Sequence, residues 1–313
     1  MSTYLTIGEA LTDIVIRKDA PRAELPGGSP MNVAVALGRL GHTSHLLTHI
    51  GDDERGRAIV QHVESSNVSL TPGSVRPGAH TSTAAATIGE GGAASYDFDI
   101  AWDPDPRGLP TQVDAVHTSS IAATLEPGAD TLRTVVASLR ESALISYDPN
   151  ARPTLMGDPA IARKPIEENI ALADIVKASD EDLEWLYETS DIDQAAQSWL
   201  RRGVKLAVIT RGGQGATAFT ARGRVDIPGV RVDVTDTVGA GDTFSAGLLD
   251  ALSRKGLLGA EGREKIATLE ATEIKEILSH AALLASVTVS RAGANPPWAR
   301  DIADRCTLSP VED

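Results

Sequence analysis

Two carboxylates six residues apart, Asp236 and Asp242, bracket a glycine-rich loop in the stretch "DTVGAGDTFSAGLL", residues 236–249. Beyond the loop, Phe244, Leu248, Leu249, Ala251 and Leu252 follow helical spacing, which predicts a helix starting near Asp242. The first turn of a helix carries unpaired N–H groups and a partial positive charge. Glycines let a ligand approach that backbone closely. Gly239, Ala240 and Gly241 therefore predict an anion site suited to a phosphate group. A carboxylate in the same place would repel a bound anion, so it needs a reason of its own. The chemical reason is a base: Asp242 accepts a proton from an attacking hydroxyl while the amides hold the transferred phosphoryl group. The competing reading is an aspartate that caps the helix beside an ordinary turn. The chain carries no GxxxxGK[ST], so phosphate chemistry must use a geometry other than the P-loop.

The elements around this loop alternate. Strand-like "YLTIGEA" is followed by the helix "SPMNVAVALGRLG", where Ser29 suits the cap, Pro30 the first helical position and Gly41 the position just past the end. "HLLTHIG" reads as a buried strand and "ERGRAIVQHVESS" as a helix. The rhythm then changes to a hairpin, "TSTAAATI", a "GEGG" turn and "ASYDFDI". Strand and helix alternation resumes through "DAVHTSSI", "GADTLRTVVASLRE", "ALISYDPN", "ADIVKAS", "DEDLEWLYE" and "KLAVITRGG". Such alternation predicts an α/β fold: a mostly parallel sheet covered by helices on both faces, with the hairpin standing off it.

Composition sets the bounds. The chain has 313 residues, 42% hydrophobic and 4% aromatic, so aliphatic side chains must do most of the packing. The formal net charge of −14 argues against partners such as nucleic acid or an anionic membrane, while leaving room for a local phosphate site. Cys306 is the only cysteine, which excludes an internal disulfide and fits a reducing compartment. The first residues lack a secretory pattern and "AALLASVTV" is too short to span a bilayer, so a cytoplasmic protein is expected. His42, His45 and His49 mimic a metal-binding spacing, but on a strand His42 and His45 point to opposite faces. There is no GxSxG elbow and no cysteine–histidine pairing for nucleophilic hydrolysis.

Two long motifs carry a family resemblance. "DTVGAGDTFSAGLL" resembles the C-terminal motif, and "GGSPMNVAVALGRLG" (residues 27–41) the N-terminal glycine-rich motif, of the ribokinase-like sugar kinases, the PfkB carbohydrate kinase family. The resemblance implies one ribokinase-like three-layer α/β/α kinase domain over residues 1–313. Its small β lid would come mainly from about 81–105 together with the segment about 12–26. It implies that Asp242 is the catalytic base and that Gly239, Ala240 and Gly241 surround the transferred phosphate. It also implies that Asp13, Gly28 and Asn32 bind sugar hydroxyls. Asp13 lies just past the first strand, where open α/β sheets bind ligands, and Gly28 would let the backbone approach the sugar.

The nucleotide side rests on "ITRGGQGA", which resembles the family's turn beside the ATP phosphates. Thr210, Gly212 and Gly215 carry over, and Arg211 is either a phosphate contact or a solvated turn residue. The spacing of "GGQG" and the strand-like "ATAFTA" after it argue against a Rossmann dinucleotide site. Where many family members carry Asn-x-x-Glu, this chain has Ser179 and Asp182. Mg2+ is expected to arrive with ATP, with Asp182 contacting it through water, and Ser179 to Glu181 also read as a helix cap. A candidate K+ site follows from the resemblance, with Asp236 and Val238 in one loop and "SRAGANPP" in a second; Asp236 otherwise reads as a turn-stabilising carboxylate.

"ISYDPNARP" resembles a stretch shared by fructokinases and 2-keto-3-deoxygluconate kinases, and it places Asn150 and Arg152 near substrate and phosphate. The hairpin segment holds Asp97, Asp99, Asp103 and Asp105, with no arginine before Arg107, so like-charge repulsion should disfavour an anionic sugar. A neutral sugar is expected, fructose first, with Phe98 and Trp102 either covering the sugar or packing the hairpin. 2-Keto-3-deoxygluconate kinase, ribokinase and nucleoside kinase activities stay open, as does a non-catalytic sugar or nucleotide sensor. The apolar "STAAATI" strand is a candidate for pairing two copies through the lid, or covers the active site.

Overall fold

The computed structural model describes residues 1–17, 20–88 and 94–303. The expected "GEGG" turn and Cys306 lie outside them. The chain begins with β1 (Thr3–Ile7), β2 (Leu11–Arg17), β3 (Ala20–Gly27), α1 (Ser29–Arg39) and β4 (Thr43–Leu47). A two-residue β5 (Ile50–Gly51), α2 (Glu54–Glu64), β6 (Val68–Leu70), a two-residue β7 (Val75–Arg76), β8 (Thr83–Ile88) and β9 (Ala94–Asp99) follow. Next come β10 (Ala115–Ser119), α3 (Gly128–Leu139), β11 (Leu144–Asp148), α4 (Pro153–Met156), α5 (Pro159–Leu172), β12 (Ile175–Ser179), α6 (Asp180–Tyr187) and α7 (Ile192–Arg201). The last part holds β13 (Leu206–Thr210), β14 (Ala216–Thr220), β15 (Gly223–Ile227), α8 (Ala240–Arg254), α9 (Gly259–Ile266), α10 (Ala271–Val289) and α11 (Ala299–Ala303).

Nine strands form the central sheet in the order β15-β14-β13-β12-β11-β10-β1-β4-β6. From β13 to β6 all neighbours run parallel, and β14 and β15 fold back antiparallel at one edge. Successive residues in these strands feed different cores. In β13, Leu206 and Val208 join Phe244, Leu248 and Ile277, whereas Ala207 and Ile209 join Leu132, Ile166 and Trp199. Strands apolar on both faces can only sit between two helical layers, which is the three-layer α/β/α arrangement the alternation predicts. No helix among the described residues is long and apolar enough to cross a membrane.

A second, four-stranded sheet has the order β3-β2-β8-β9. β2 pairs antiparallel with β3 and parallel with β8, and β8 pairs antiparallel with β9. Leu25, Asp13, Ala84 and Phe98 lie directly opposite one another across it and so share one face. Asp97 and Asp99, one residue out of step with Phe98, belong to the other face.

Two local expectations need correction. Helix α1 takes Gly28 as its cap residue, with no side-chain capping bond, so Ser29 already lies inside the helix and its hydroxyl is free for another partner. Gly41 does fill the position past the helix end, with φ 94. The strand expected over "HLLTHIG" starts earlier, at Thr43, and breaks before Ile50. The histidines go separate ways. His42 Nε2 meets Asp250 Oδ1 at 2.8 Å and His49 Nδ1 accepts from the Asp103 amide, and no cluster of metal-ligating side chains exists among the described residues.

Helix α8 is fixed along its length. Tyr4 Oη donates to the Leu249 carbonyl at 3.0 Å, and buried Asp250 gathers His42, Arg254 and His280. Against α10 the two backbones nearly touch: a Cβ on Gly247 would lie 2.7 Å from Ala281 Cα. Overpacking a close helix crossing costs about 1–3 kcal/mol. Gly247→Val is therefore expected to lower the urea midpoint by that amount of stability, with the unfolding slope unchanged.

Candidate active site

Ser119, Asp148, Ser179 and Thr210 are the last residues of the adjacent parallel strands β10, β11, β12 and β13. This is the carboxyl edge where open α/β sheets bind ligands. Helix α8 starts above the same edge. Gly239 adopts the left-handed conformation, φ 76, as cap residue, and no side chain caps the helix. Gly239 and Ala240 are half-buried and Gly241 is exposed, so the entrance opens to solvent.

Asp242 is the third residue of α8 and does not cap it. Its carboxylate is nearly buried and turned sideways toward α1: Ser29 Oγ donates to Oδ1 at 2.7 Å, and Asn32 Nδ2 donates to Oδ2 at 2.8 Å. Ser29 Oγ also lies 2.8 Å from Ser119 Oγ. The structure thus brings together Asp242, Asn32 and the Gly239–Gly241 loop. It adds Ser29, which the sequence presents as a cap. With Gly28 as the cap residue, φ 115, the Ser29 hydroxyl lies inside the helix and is left for Asp242.

Asp13 stands beside this pair on β2. Its carboxylate fills the space that a side chain at Gly27 would need. Burial pushes its pKa up to about 6, with Arg152 pulling it down and Asp242 pushing it further up. Gly28, by contrast, is required by the chain itself, since a Cβ there would lie 2.5 Å from the Glu9 carbonyl oxygen. Glu9 is buried below, its Oε2 accepting from the Ala122 amide, and burial raises its pKa to about 8. Asn150 adopts φ 37, and its side-chain oxygen accepts from Arg152 Nη1 at 2.8 Å.

Below the α8 entrance lies an ion pair that sequence reasoning did not assign. Lys177 Nζ donates to Asp148 Oδ2 at 2.7 Å, and both side chains are buried. Burial opposes charge on Lys177, but Asp148, Asp182 and Asp242 around it hold its pKa above the ordinary lysine value. Burial likewise pushes Asp148 up, to about 6, against the pull of Lys177. A lysine in the otherwise apolar strand "ADIVKAS" was the available signal.

On the expected nucleotide side, Thr210 Oγ1 donates to the Ala178 carbonyl at 3.3 Å, and Gly212 is exposed with open space around it. Gly215 packs against the Ile227 carbonyl and Gly229, so chain packing requires it there. Arg211 faces Asp226 at 3.6 Å. Asp182 forms a capping box with Ser179 and also accepts from the Ala151 amide. One lone pair on each of its oxygens is therefore committed to backbone. Asp236 accepts from the amides of Val238 and Gly293, which lowers its pKa and ties the two expected cation loops together.

Two expectations for the hairpin fail. Trp102 is buried in the main core, donates to the Ala122 carbonyl and packs on Gly128, so it does not cover a sugar. The acidic residues do not line the site either. Asp97 and Asp99 lie on the face opposite Asp13, Asp99 meets His80, and Asp103 and Asp105 meet Arg76. Phe98 shares the Asp13 face and stacks on Tyr96 at 5.9 Å.

Residues 4–300 match the family described as pfkB family carbohydrate kinase. A fructokinase from Rhizobium leguminosarum bv. trifolii is 37% identical over 265 residues, 81% of each chain. Among solved structures, a fructokinase double mutant from Vibrio cholerae O395, bound to fructose, ADP and potassium ion, superposes with a TM-score of 0.78 at 27% identity, covering 94% of each chain. The aminoimidazole riboside kinase of Salmonella enterica, complexed with its riboside and an ATP analogue, gives 0.77 at 27% identity over 93% of this chain and 95% of its own.

The raised Asp13 pKa gives a pH dependence with a defined sign. A carboxylate accepts hydroxyl hydrogen bonds most strongly when ionised, and Asp13 loses that charge as pH falls through about 6. The KM for a hydroxylated substrate is expected to rise below that pH in the unmodified protein and to stay flat in Asp13→Asn. Stability moves the opposite way: ionising this buried carboxyl lowers it between about pH 4 and about pH 6.

Proposed function

The chain belongs to the pfkB family of carbohydrate kinases, and from that premise we propose that it transfers the γ-phosphoryl group of Mg-ATP to a hydroxyl of a neutral sugar, fructose first. One observation carries the reading: Asp242 is held sideways between Ser29 and Asn32 at the uncapped, solvent-open start of α8. A capping aspartate would bond the helix amides. This one leaves the Gly239 and Gly241 amides to a phosphate, while the Ala240 amide donates to the Thr237 carbonyl at 3.2 Å, and it keeps its carboxylate for a proton.

In the proposed reaction Asp242 accepts the hydroxyl proton as the sugar oxygen attacks the γ-phosphorus. The bond to the bridging oxygen breaks and its electron pair leaves with ADP. The amides of Gly239 and Gly241 meet the equatorial oxygens in transit, and Ala240, expected to join them, instead spends its amide on the turn at Thr237. Asp13, Asn32 and the backbone at Gly28 orient the sugar, Phe98 covers it, and Asn150 and Arg152 border the phosphate path. Thr210, Gly212 and Gly215 border the nucleotide. The four-stranded sheet acts as a lid that excludes water.

Bound with the nucleotide, Mg2+ would neutralise charge on its phosphates. Asp182 fits an outer role, because its outward lone pairs can meet metal-held water. The joined loops at Asp236–Val238 and Gly293 support a K+ site built mainly of carbonyls. Pairing of two copies through the small sheet is supported by exposed Leu25 and Tyr96 on its Asp13 face. The fructokinases among the relatives favour fructose. The likeness to the riboside kinase keeps a riboside as the second reading.

ADP release measured with and without fructose, other neutral sugars, 2-keto-3-deoxygluconate, ribose and nucleosides tests the proposal. Fructose-dependent ADP supports it, and a melting shift without sugar-dependent ADP would make the protein a sensor. Asp242→Asn is expected to keep sugar binding while turnover falls at least about a hundredfold. Near-normal turnover in that variant removes the base assignment.

A further inference from the structure

We infer that Lys177 is a positioning residue for phosphoryl transfer. Its buried ammonium, locked by Asp148, supplies fixed positive charge directly behind Gly241. There it offsets the repulsion between the Asp242 carboxylate and an arriving phosphate. The inference rests on the kinase reading and deepens it.

The geometry is specific. A Cβ placed on Gly241 would lie 3.0 Å from Lys177 Nζ, so the ammonium touches the floor of the α8 entrance. Asp148 holds it there at 2.7 Å, and Ser245 Oγ from the next turn of α8 lies 3.4 Å from the same carboxylate oxygen. The other Asp148 oxygen accepts from the Asn150 amide at 3.2 Å, which links the pair to the Asn150–Arg152 loop. Among the described residues, Lys177 is the only lysine or arginine that is buried.

Packing alone does not explain such a pair. An apolar pair of similar volume would stabilise the fold as well or better, since desolvating two charges costs more than their attraction commonly returns. The surroundings supply the reason. Asp13, Asp148, Asp182 and Asp242 crowd this end of the site, and Arg152 is exposed and turned onto the oxygens of Asn150 and Ala151. The amides at the start of α8 supply only a fraction of a charge. The ammonium end of the Lys177–Asp148 pair faces Gly241, with no Asp148 atom within 4 Å of a Cβ there, so the pair's dipole adds to their field at the point where phosphate charge develops.

Lys177→Met alone strands a buried carboxylate and is expected to destabilise the fold. The decisive variant is therefore Lys177→Met with Asp148→Asn, which removes both charges at once. Steady-state kinetics would be read beside nitrate inhibition in the presence of Mg-ADP and sugar, nitrate being a planar monoanion that probes the transferring-phosphate position. The folded double variant is expected to keep its sugar KM within about threefold. Its kcat should fall about a hundredfold, the scale for losing one preorganised electrostatic group, and nitrate inhibition should weaken at least about tenfold. Lys177→Arg, which keeps the charge, should hold kcat above the double variant and retain nitrate inhibition. A double variant with kcat and nitrate inhibition both within about threefold of the unmodified protein overturns the inference, as does a Lys177→Arg protein no better than the double variant. An unmodified protein without sugar-dependent ADP release would instead fail the kinase reading.

Discussion

A phosphate must be brought within reach of a carboxylate, and like charges in a half-dry cleft repel. The site is organised around that conflict. In the proposed reaction Asp242 cannot be moved away, because a base has to lie at hydrogen-bond distance from the hydroxyl it deprotonates. The protein instead surrounds the carboxylate with donors that are not its own helix amides. Ser29 and Asn32, both from α1, hold its two oxygens, and no side chain caps the start of α8. Both arrangements depend on one crossing, that of α1 and α8 over the carboxyl edge of the sheet. The close contact with α10 at Gly247, the bond from Tyr4 on β1 to Leu249 and the ion cluster at Asp250 hold α8 in place.

The cluster at Asp250 shows how far the constraint reaches. Three cationic or titratable side chains, His42, Arg254 and His280, converge on one buried carboxylate and hold its pKa well below the ordinary aspartate value. They come from the segment before β4, from α8 itself and from α10. The far end of α8 is thereby tied to both of its neighbours. An element whose first turn must present amides to within a fraction of an ångström gains from an anchored tail.

The sequence made the two glycine-rich loops, the alternating strands and helices and the candidate base Asp242 legible, because each depends on residues close together in the chain. What it hid depends on pairing between distant strands. Lys177 and Asp148 meet only because β11 and β12 lie side by side in parallel. Ser29 reads as a cap because serine before proline is a common helix start, and only three-dimensional packing shows its hydroxyl bonded to Asp242. The acidic hairpin misled for a similar reason. Alternation along β9 places Asp97 and Asp99 together, but which face they take is set by the register with β8 and β2, which no local pattern encodes. Trp102 misled because an aromatic residue next to a hairpin looks like a cover until its partner, Gly128, is known.

The small sheet is assembled from two separate excursions of the chain, β2 with β3 and β8 with β9, sewn together by the parallel ladder between β2 and β8. Each excursion leaves the body of the protein and returns to it, so four strands of backbone tether the plate instead of the two that would hold a lone hairpin. Such a plate cannot flap open at one corner without tearing ladder bonds. Asp13 and Phe98 lie on the same side of it, so the ladders through β8 fix the place of one relative to the other.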